Sequence, residues 1–339
     1  MSGLLHKFYV KRVFAVFLAL LLVFLTAGIA AANKDSKTNR NRIADFDGDG
    51  KSDISVFRPS DGNWYILRSS GGYYSVKWGL ADDKLVPGDY DGDGTTDLAV
   101  YRANNNNWYV LKSSDNSSFI KQWGVNIRRQ GQINYNWDAP IPADYDGDRK
   151  TDLAVYTMQD YLAAPGSFVV LQNSTGSNVQ NQWGTNMDKL VPADYDGDGK
   201  ADLAFYRNDS MPGGENEVGK WFVFQSSTGT VRVEKFGLGE DKPVPADYDG
   251  DGQADIAVYR PSEGNWYRIN SKDNSFAVMQ FGLSGDKPTP ADYDGDGKTD
   301  IAVFRPSTGV WYLLRSTEGF TAQQFGLADD IPVPNVFVK

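Results

Sequence analysis

From about residue 42 the chain is a succession of short apolar runs broken by clusters of Gly, Asp, Asn and Ser. Ile256-Ala257-Val258-Tyr259 is apolar at every position, the pattern of a strand covered on both faces. The next run, Asn265 to Ile269, mixes polar and apolar positions, as a strand with one buried face does. Gly, Asp, Asn and Ser stand at the turns between such runs. Over this stretch the pattern predicts four strands, roughly Lys242 to Tyr248, Asp255 to Arg260, Asn265 to Ile269 and Ser275 to Phe281.

The pattern repeats along the chain. The nonapeptide D-x-D-G-D-x-x-x-D occurs six times, starting at Asp45, Asp89, Asp144, Asp194, Asp247 and Asp292. Each copy is followed by an aromatic residue (Trp64, Trp108, Phe168, Trp221, Trp266, Trp311). An aromatic-Gly pair comes next, as in Trp78-Gly79 and Phe281-Gly282. One four-stranded sheet cannot bury two faces, whereas a ring of six can. The expected fold is all-β: a β-propeller of six four-stranded blades over residues 42–339, with a seventh only if the termini build one. Ile331 to Val338 copies the first-strand pattern without its acids, while the first repeat has only a short version, Arg42 to Phe46. The C-terminal strand is therefore expected to help close the first blade.

Ahead of the repeats, Lys7, Lys11 and Arg12 precede the apolar run Val13 to Leu25 and a small-residue stretch ending at Ala32. This reads as a signal peptide over residues 1–32 and a polar linker over 33–41, hence a protein that is secreted, extracellular or at the cell surface. A membrane association is expected only if the leader stays uncleaved, since Val13 to Ala32 matches the ~20 residues of a spanning helix. The 339 residues include no Cys and one His, His6, inside the leader. Disulfides, thiolate zinc sites and Cys nucleophiles are excluded, as is imidazole catalysis in the mature chain. Loss of the leader's three basic residues takes the formal net charge from −10 to −13, so no nucleic-acid partner is expected.

The repeated motif holds 24 of the chain's 44 acids. Asp at positions 1, 3, 5 and 9 of a tight loop repel one another unless a cation sits among them. Hard oxygens at alternating positions suit Ca²⁺, which takes about six to eight of them with loose geometry, better than Mg²⁺. The expected ligands in the first loop are Asp45, Asp47, Asp49, the carbonyl of Lys51, and Asp53. The second loop offers Asp89, Asp91, Asp93, Thr95 and Asp97, and the third Asp144, Asp146, Asp148, Lys150 and Asp152. The fourth offers Asp194, Asp196, Asp198, Lys200 and Asp202, the fifth Asp247, Asp249, Asp251, Gln253 and Asp255, and the sixth Asp292, Asp294, Asp296, Lys298 and Asp300. An EF-hand would need helical flanks and Glu where Val56 stands. Up to six structural Ca²⁺ are expected, the alternative being solvated acidic turns. The third loop should be the weakest, because Arg149 replaces a Gly.

These loops and the aromatic-Gly pairs resemble the FG-GAP (VCBS) repeat family, which includes the integrin α-subunit head. The resemblance runs from about Asp45 to the C-terminus, with Arg305-Pro306-Ser307 where the family has Gly-Ala-Pro. It implies structural calcium loops joining strands 1 and 2 on one face, and ligands on the opposite face.

Extra length points to that opposite face. From the last motif Asp to the aromatic is 11 residues in four repeats but 16 in the third and 19 in the fourth, and Gly124 to Asp144 is twenty where the others are ten. The longer segments contain Arg128, Arg129, Tyr135, Trp137 and Tyr161, which would stack on a sugar, anchor a protein, or pack their own loops. Arg58, Arg102, Arg207, Arg260 and Arg305 recur at the end of strand 2. They read as partners of loop acids such as Asp83 and Asp286, or as a repeated sugar pocket like that of the fungal propeller lectins that the calcium loops also resemble. The reading is a monomeric, non-catalytic calcium-binding module for a glycan or a surface protein. The alternatives are a calcium-dependent polysaccharide lyase or glycosidase, built from carboxylates, Tyr, Lys or Arg, and a purely structural envelope component.

Overall fold

The apolar runs become strands, and the strands group in fours. The computed structural model describes residues 43–125, 138–158, 165–208 and 218–335, among which twenty-four strands form six antiparallel sheets of four. Blade one holds β1 (Ile54–Arg58), β2 (Asn63–Leu67) and β3 (Tyr73–Lys77). Blade two is β4 (Lys84–Leu85), β5 (Leu98–Arg102), β6 (Asn107–Leu111) and β7 (Ser118–Gln122). Blade three is β8 (Ala139–Pro140), β9 (Leu153–Thr157), β10 (Ser167–Leu171) and β11 (Asn178–Gln182). Blade four is β12 (Lys189–Leu190), β13 (Leu203–Arg207), β14 (Lys220–Phe224) and β15 (Val231–Lys235). Blade five is β16 (Lys242–Pro243), β17 (Ile256–Arg260), β18 (Asn265–Ile269) and β19 (Phe276–Gln280). Blade six is β20 (Lys287–Pro288), β21 (Ile301–Arg305), β22 (Val310–Arg315) and β23 (Gly319–Gln324), and β24 (Ile331–Pro332) joins blade one. The fold is the six-bladed β-propeller that the repeat predicts.

The first strand of each blade is shorter than expected. In place of Lys242 to Tyr248, β16 covers two residues, and pairing resumes at the bridge between Ala246 and Asp255. Pro243 and Pro245 have no N–H to give; between them Val244 donates to Ala257 O at 2.8 Å.

The core lies in the seams between blades. Phe57 and Trp64 of blade one pack with Leu85, Leu98 and Val100 of blade two, and the last seam sets Phe304 and Trp311 of blade six against Val56 of blade one. Alternate residues of strand 2 serve opposite seams, which is why this strand is apolar on both faces. The outermost strands, by contrast, are exposed at every second position, as in β3. The repeated Trp side chains are fully buried at 64, 108, 221 and 311, and each indole N–H finds the carbonyl of the aromatic-Gly pair. Truncating such a side chain to Ala costs about 3–5 kcal/mol.

Both ends of the chain build the inner strand of blade one. Phe57 pairs with Ile331 and Val56 with Pro332, just as Tyr101 pairs with Lys84 and Val100 with Leu85 in blade two. The remaining part comes from the N-terminal side. Ala44 O accepts the N–H of Asp53 at 2.7 Å, as Gly88 O accepts that of Asp97 at 2.8 Å. Ala44 and Val333 are buried in one cluster, where the two half-strands meet.

Asn41–Lys339 makes up one compact unit. The expected leader and linker, residues 1–41, lie outside the described residues, among which no helix is long and apolar enough to cross a membrane.

Candidate metal centres

Every Asp loop joins strand 1 to strand 2, so all six stand at the same end of the ring. Inside each loop the carboxylates are turned inward by the backbone. Asp45 accepts from the N–H of Gly48 at 2.8 Å and of Gly50 at 3.0 Å, one to each oxygen. The same two bonds recur at Asp89, Asp144, Asp194, Asp247 and Asp292. Position 5 accepts from the N–H of position 7: Asp49 from Lys51, Asp93 from Thr95, Asp148 from Lys150, Asp198 from Lys200, Asp251 from Gln253 and Asp296 from Lys298. Position 9 is a buried lock. Asp53 accepts from Phe46 N–H at 2.9 Å and from Ser69 N–H at 2.7 Å, and Asp97, Asp152, Asp202, Asp255 and Asp300 repeat the arrangement.

The result is a set of converging anionic oxygens. One carboxylate oxygen from each of Asp45, Asp47 and Asp53 lies within 4.8 Å of the other two, and likewise for Asp89, Asp91 and Asp97, for Asp144, Asp146 and Asp152, for Asp194, Asp196 and Asp202, and for Asp247, Asp249 and Asp251. Burial, helped by the charges of Asp47 and Asp45, pushes the Asp53 carboxyl up to about 7 despite its two N–H bonds. Burial likewise pushes Asp152 and Asp300 up to about 7, and Asp97, Asp202 and Asp255 to about 6. In the sixth loop Oδ2 of Asp294 accepts from Thr317 N–H, Thr317 Oγ1 and Glu318 N–H, while its buried Oδ1 has no hydrogen-bond partner. Crowded, all-oxygen anionic donors with a buried lone acceptor fit a hard metal cation.

The third loop keeps this geometry at a cost. Arg149 adopts φ +71° where Gly stands in the other loops, and its N–H still reaches Asp144 Oδ2 at 2.8 Å. A left-handed non-Gly residue costs about 1–2 kcal/mol.

Two features escaped the sequence reading. The first is a hydroxyl strap from the strand 3–4 turn of the same blade. Ser69 Oγ donates to Asp49 at 2.8 Å and Ser70 Oγ to Asp47 at 2.5 Å, and Ser113 with Ser114 and Ser226 with Ser227 do the same. The recurring Ser-Ser pair after the Asp loop was the available signal. The second is a closed ring of backbone bonds. Ser52 N–H donates to Asp292 O, Thr96 to Asp45 O, Thr151 to Asp89 O, Ala201 to Asp144 O, Ala254 to Asp194 O and Thr299 to Asp247 O, each at 2.7 Å. Position 7 of each loop also lies over the first Gly of the preceding loop. A Cβ on Gly92 would meet Lys150 Cε at 2.7 Å, and one on Gly48 would meet Thr95 Oγ1 at 2.8 Å.

At the opposite end, the repeated arginines take the ion-pair role. Arg102 grips Asp83 through Nε and Nη2, both at 2.8 Å, and lies over the Tyr109 ring at 4.4 Å. Arg58 with Asp330, Arg207 with Asp188, Arg260 with Asp241 and Arg305 with Asp286 repeat the fork. Asp83 also accepts the N–H of Leu80, which follows blade one, so it ties the two blades together. Arg128, Arg129, Tyr135, Trp137 and Tyr161 lie outside the described residues.

Fold and loops together define a β-propeller with a candidate cation loop in every blade. FG-GAP-like repeats are detected in three segments of the chain, residues 45–100, 89–155 and 247–303. Curated protein sequences give no match. Among solved structures, an Agrocybe aegerita lectin, described as recognising non-reducing terminal N-acetylglucosamine, is similar with a TM-score of 0.50 and 16% identity, over 86% of this chain and 92% of that one. A virginiamycin B lyase of Staphylococcus aureus has a TM-score of 0.47 and 8% identity, over 87% of this chain and 96% of that one. At these identities the likeness is one of fold.

Proposed function

We propose that the protein is a secreted, calcium-stabilised, non-catalytic binding module whose ligand, a glycan or a surface protein, docks on the face opposite the Asp loops. The observation that carries this reading is the contrast between the two ends of the ring. At one end the carboxylates point into their own loops, the arrangement of a structural Ca²⁺ site. At the other, the connections β7–β8, β9–β10 and β13–β14 are longer than their counterparts in the other blades and neighbour one another around the ring. Long connections on a rigid scaffold are where binding residues are usually carried. At the same end of the ring, guanidinium groups stacked on Tyr rings in blades two, five and six offer flat surfaces that suit a sugar or a peptide. The buried acids Asp83, Asp188, Asp241, Asp286 and Asp330 are held by arginines, which disfavours them as a catalytic acid and base.

The test uses residues 33–339 on a glycan array and on immobilised matrix proteins, beside a polysaccharide-degradation assay. Calcium-dependent, saturable binding that is lost when residues 126–137 are replaced by a short turn is the expected result. Bond cleavage that survives purification and disappears on an Asp or Tyr substitution would overturn the non-catalytic reading. N-terminal sequencing of the exported protein should begin at Asn33.

A further inference from the structure

The inner strands of four blades begin with lysine: Lys84 on β4, Lys189 on β12, Lys242 on β16 and Lys287 on β20. They hold one register position, opposite Tyr101, Tyr206, Tyr259 and Phe304. That position is the end of the inner strand away from the Asp loop, so the four ammonium groups gather around the ring axis at the end opposite the Asp loops. Blades four, five and six are consecutive, so Lys189, Lys242 and Lys287 form an unbroken arc.

The Asp preceding each lysine (Asp83, Asp188, Asp241, Asp286) is already gripped by an arginine of the same blade. Among the described residues Lys189, Lys242 and Lys287 form no side-chain ion pair of their own, in a chain whose net charge is −10, while in blade five Arg260 is shared by Asp241 and Glu263. Lys84 and Lys189 turn sideways to the next blade, donating to Asp138 O at 3.2 Å and Asp241 O at 2.8 Å, and Lys287 reaches Asp330 O at 3.4 Å. Lys242, at the centre of the arc, has no hydrogen-bond partner among the described residues. All three arc lysines are half-buried; burial lowers the affinity of each for its proton, and the charge of Lys242 adds to the effect on its two neighbours. The exposed Asp329 and the Arg-bound Asp330 and Asp241 are the acids that oppose this.

The fold does not require these charges. Ile331 and Ala139 occupy the same position in blades one and three and pair in the same register. Half-buried like charges at a position that tolerates Ile or Ala call for a counter-ion.

We infer that Lys189, Lys242 and Lys287 form a binding site for an oxyanion: a sulfate, a phosphate or the acidic group of a larger ligand. Ammonium donors left over after the carbonyl bonds would bind its oxygens, and the shared charge would hold it on the axis. The inference rests on the reading above only for the orientation of the partner; the lysines are tested with an inorganic ion alone.

The experiment is calorimetric titration of the calcium-loaded protein with sodium sulfate, against sodium chloride at matched ionic strength, with thermal melts alongside. Saturable sulfate binding, weakened about tenfold or more in K242Q and in K189Q, is the expected result. K121Q, which removes the same charge from the exposed strand β7, should bind as the parent does. The Lys242 side chain forms no hydrogen bond among the described residues, so K242Q should fold; its melt in calcium alone verifies this. Sulfate behaving as chloride does, or K242Q binding as tightly as the parent, overturns the site. A second titration compares a sulfated or uronic-acid oligosaccharide with its neutral analogue. Preference for the acidic sugar assigns the anion to a glycan, and equal indifference to both sugars with sulfate binding intact assigns it to a free ion.

Discussion

Arg58 holds Asp330 in a two-pronged ion pair, Nε to Oδ1 and Nη2 to Oδ2 at 2.9 Å each, across 272 residues of chain. The same fork occurs four more times, but only here does it join the two ends of the propeller. β24 contributes just two paired residues to blade one, so this clasp reinforces a short seam.

Arg58→Ala should therefore destabilise the protein by about 3 kcal/mol, because Asp330 would be left buried and charged without its partner. Adding Asp330→Asn to Arg58→Ala should recover part of the loss. Denaturant melts of the two variants check this. A single-variant loss within a few tenths of a kcal/mol would show that the clasp does not bear on closure.

Removal of the cation should lower the melting temperature of the whole propeller in a single step, since a ligand bound by the folded state stabilises it by mass action. The ring of six bonds running through Ser52, Thr96, Thr151, Ala201, Ala254 and Thr299 makes each loop the neighbour's support. Asp91→Asn, which spoils the second loop without touching those bonds, should weaken calcium binding at the first and third loops as well. Calorimetric titration that loses one equivalent and leaves the rest unchanged would show independent sites.

The pH dependence of the metal-free protein follows from the position-9 carboxyls. Their folded-state values, from about 6 to about 7, lie above the ordinary 3.8, so the folded chain binds these protons more tightly than the unfolded one. Stability from this source is full below the ordinary value and is lost as pH rises through the folded one. In chelator, the melting temperature should fall between about pH 4 and pH 7. In excess calcium, which holds the deprotonated form, the fall should vanish. A metal-free melt that climbs over this interval contradicts the argument.

Arg149→Gly should stabilise the protein by about 1 kcal/mol, by relieving a left-handed Arg and removing a positive charge beside a candidate cation site. It should also tighten calcium at the third loop. Thermal melts with and without calcium separate the two effects, since the strain term is present in both.

The sheets were legible because strand 2 is apolar on both faces, and Ile256 to Tyr259 can satisfy that pattern only between two neighbours. The Asp loops were legible because their carboxylates are close in sequence. Strand 1 was read too long, since Pro243 and Pro245 are apolar and pass for strand residues while offering no N–H. The hydroxyl straps were missed because Ser69 reaches Asp49 over 20 residues and Ser226 reaches Asp198 over 28, a spacing that the longer connections make irregular. Arg58 could have been an ion-pair partner or an open pocket until Asp330 was found folded beside it.

The sequence alone determined six repeats, their aspartate loops and the ring that their two-sided strands require, because strand patterning and the clustering of carboxylates depend on residues near one another in the chain. Only the tertiary structure decided the register in which the two ends share one strand, how the loops bond into a ring and which lysines gather at the axis. Outside proline, backbone N–H and C=O groups are the same at every residue and leave no mark in a sequence. Charges that meet across a ring are set by which blades become neighbours.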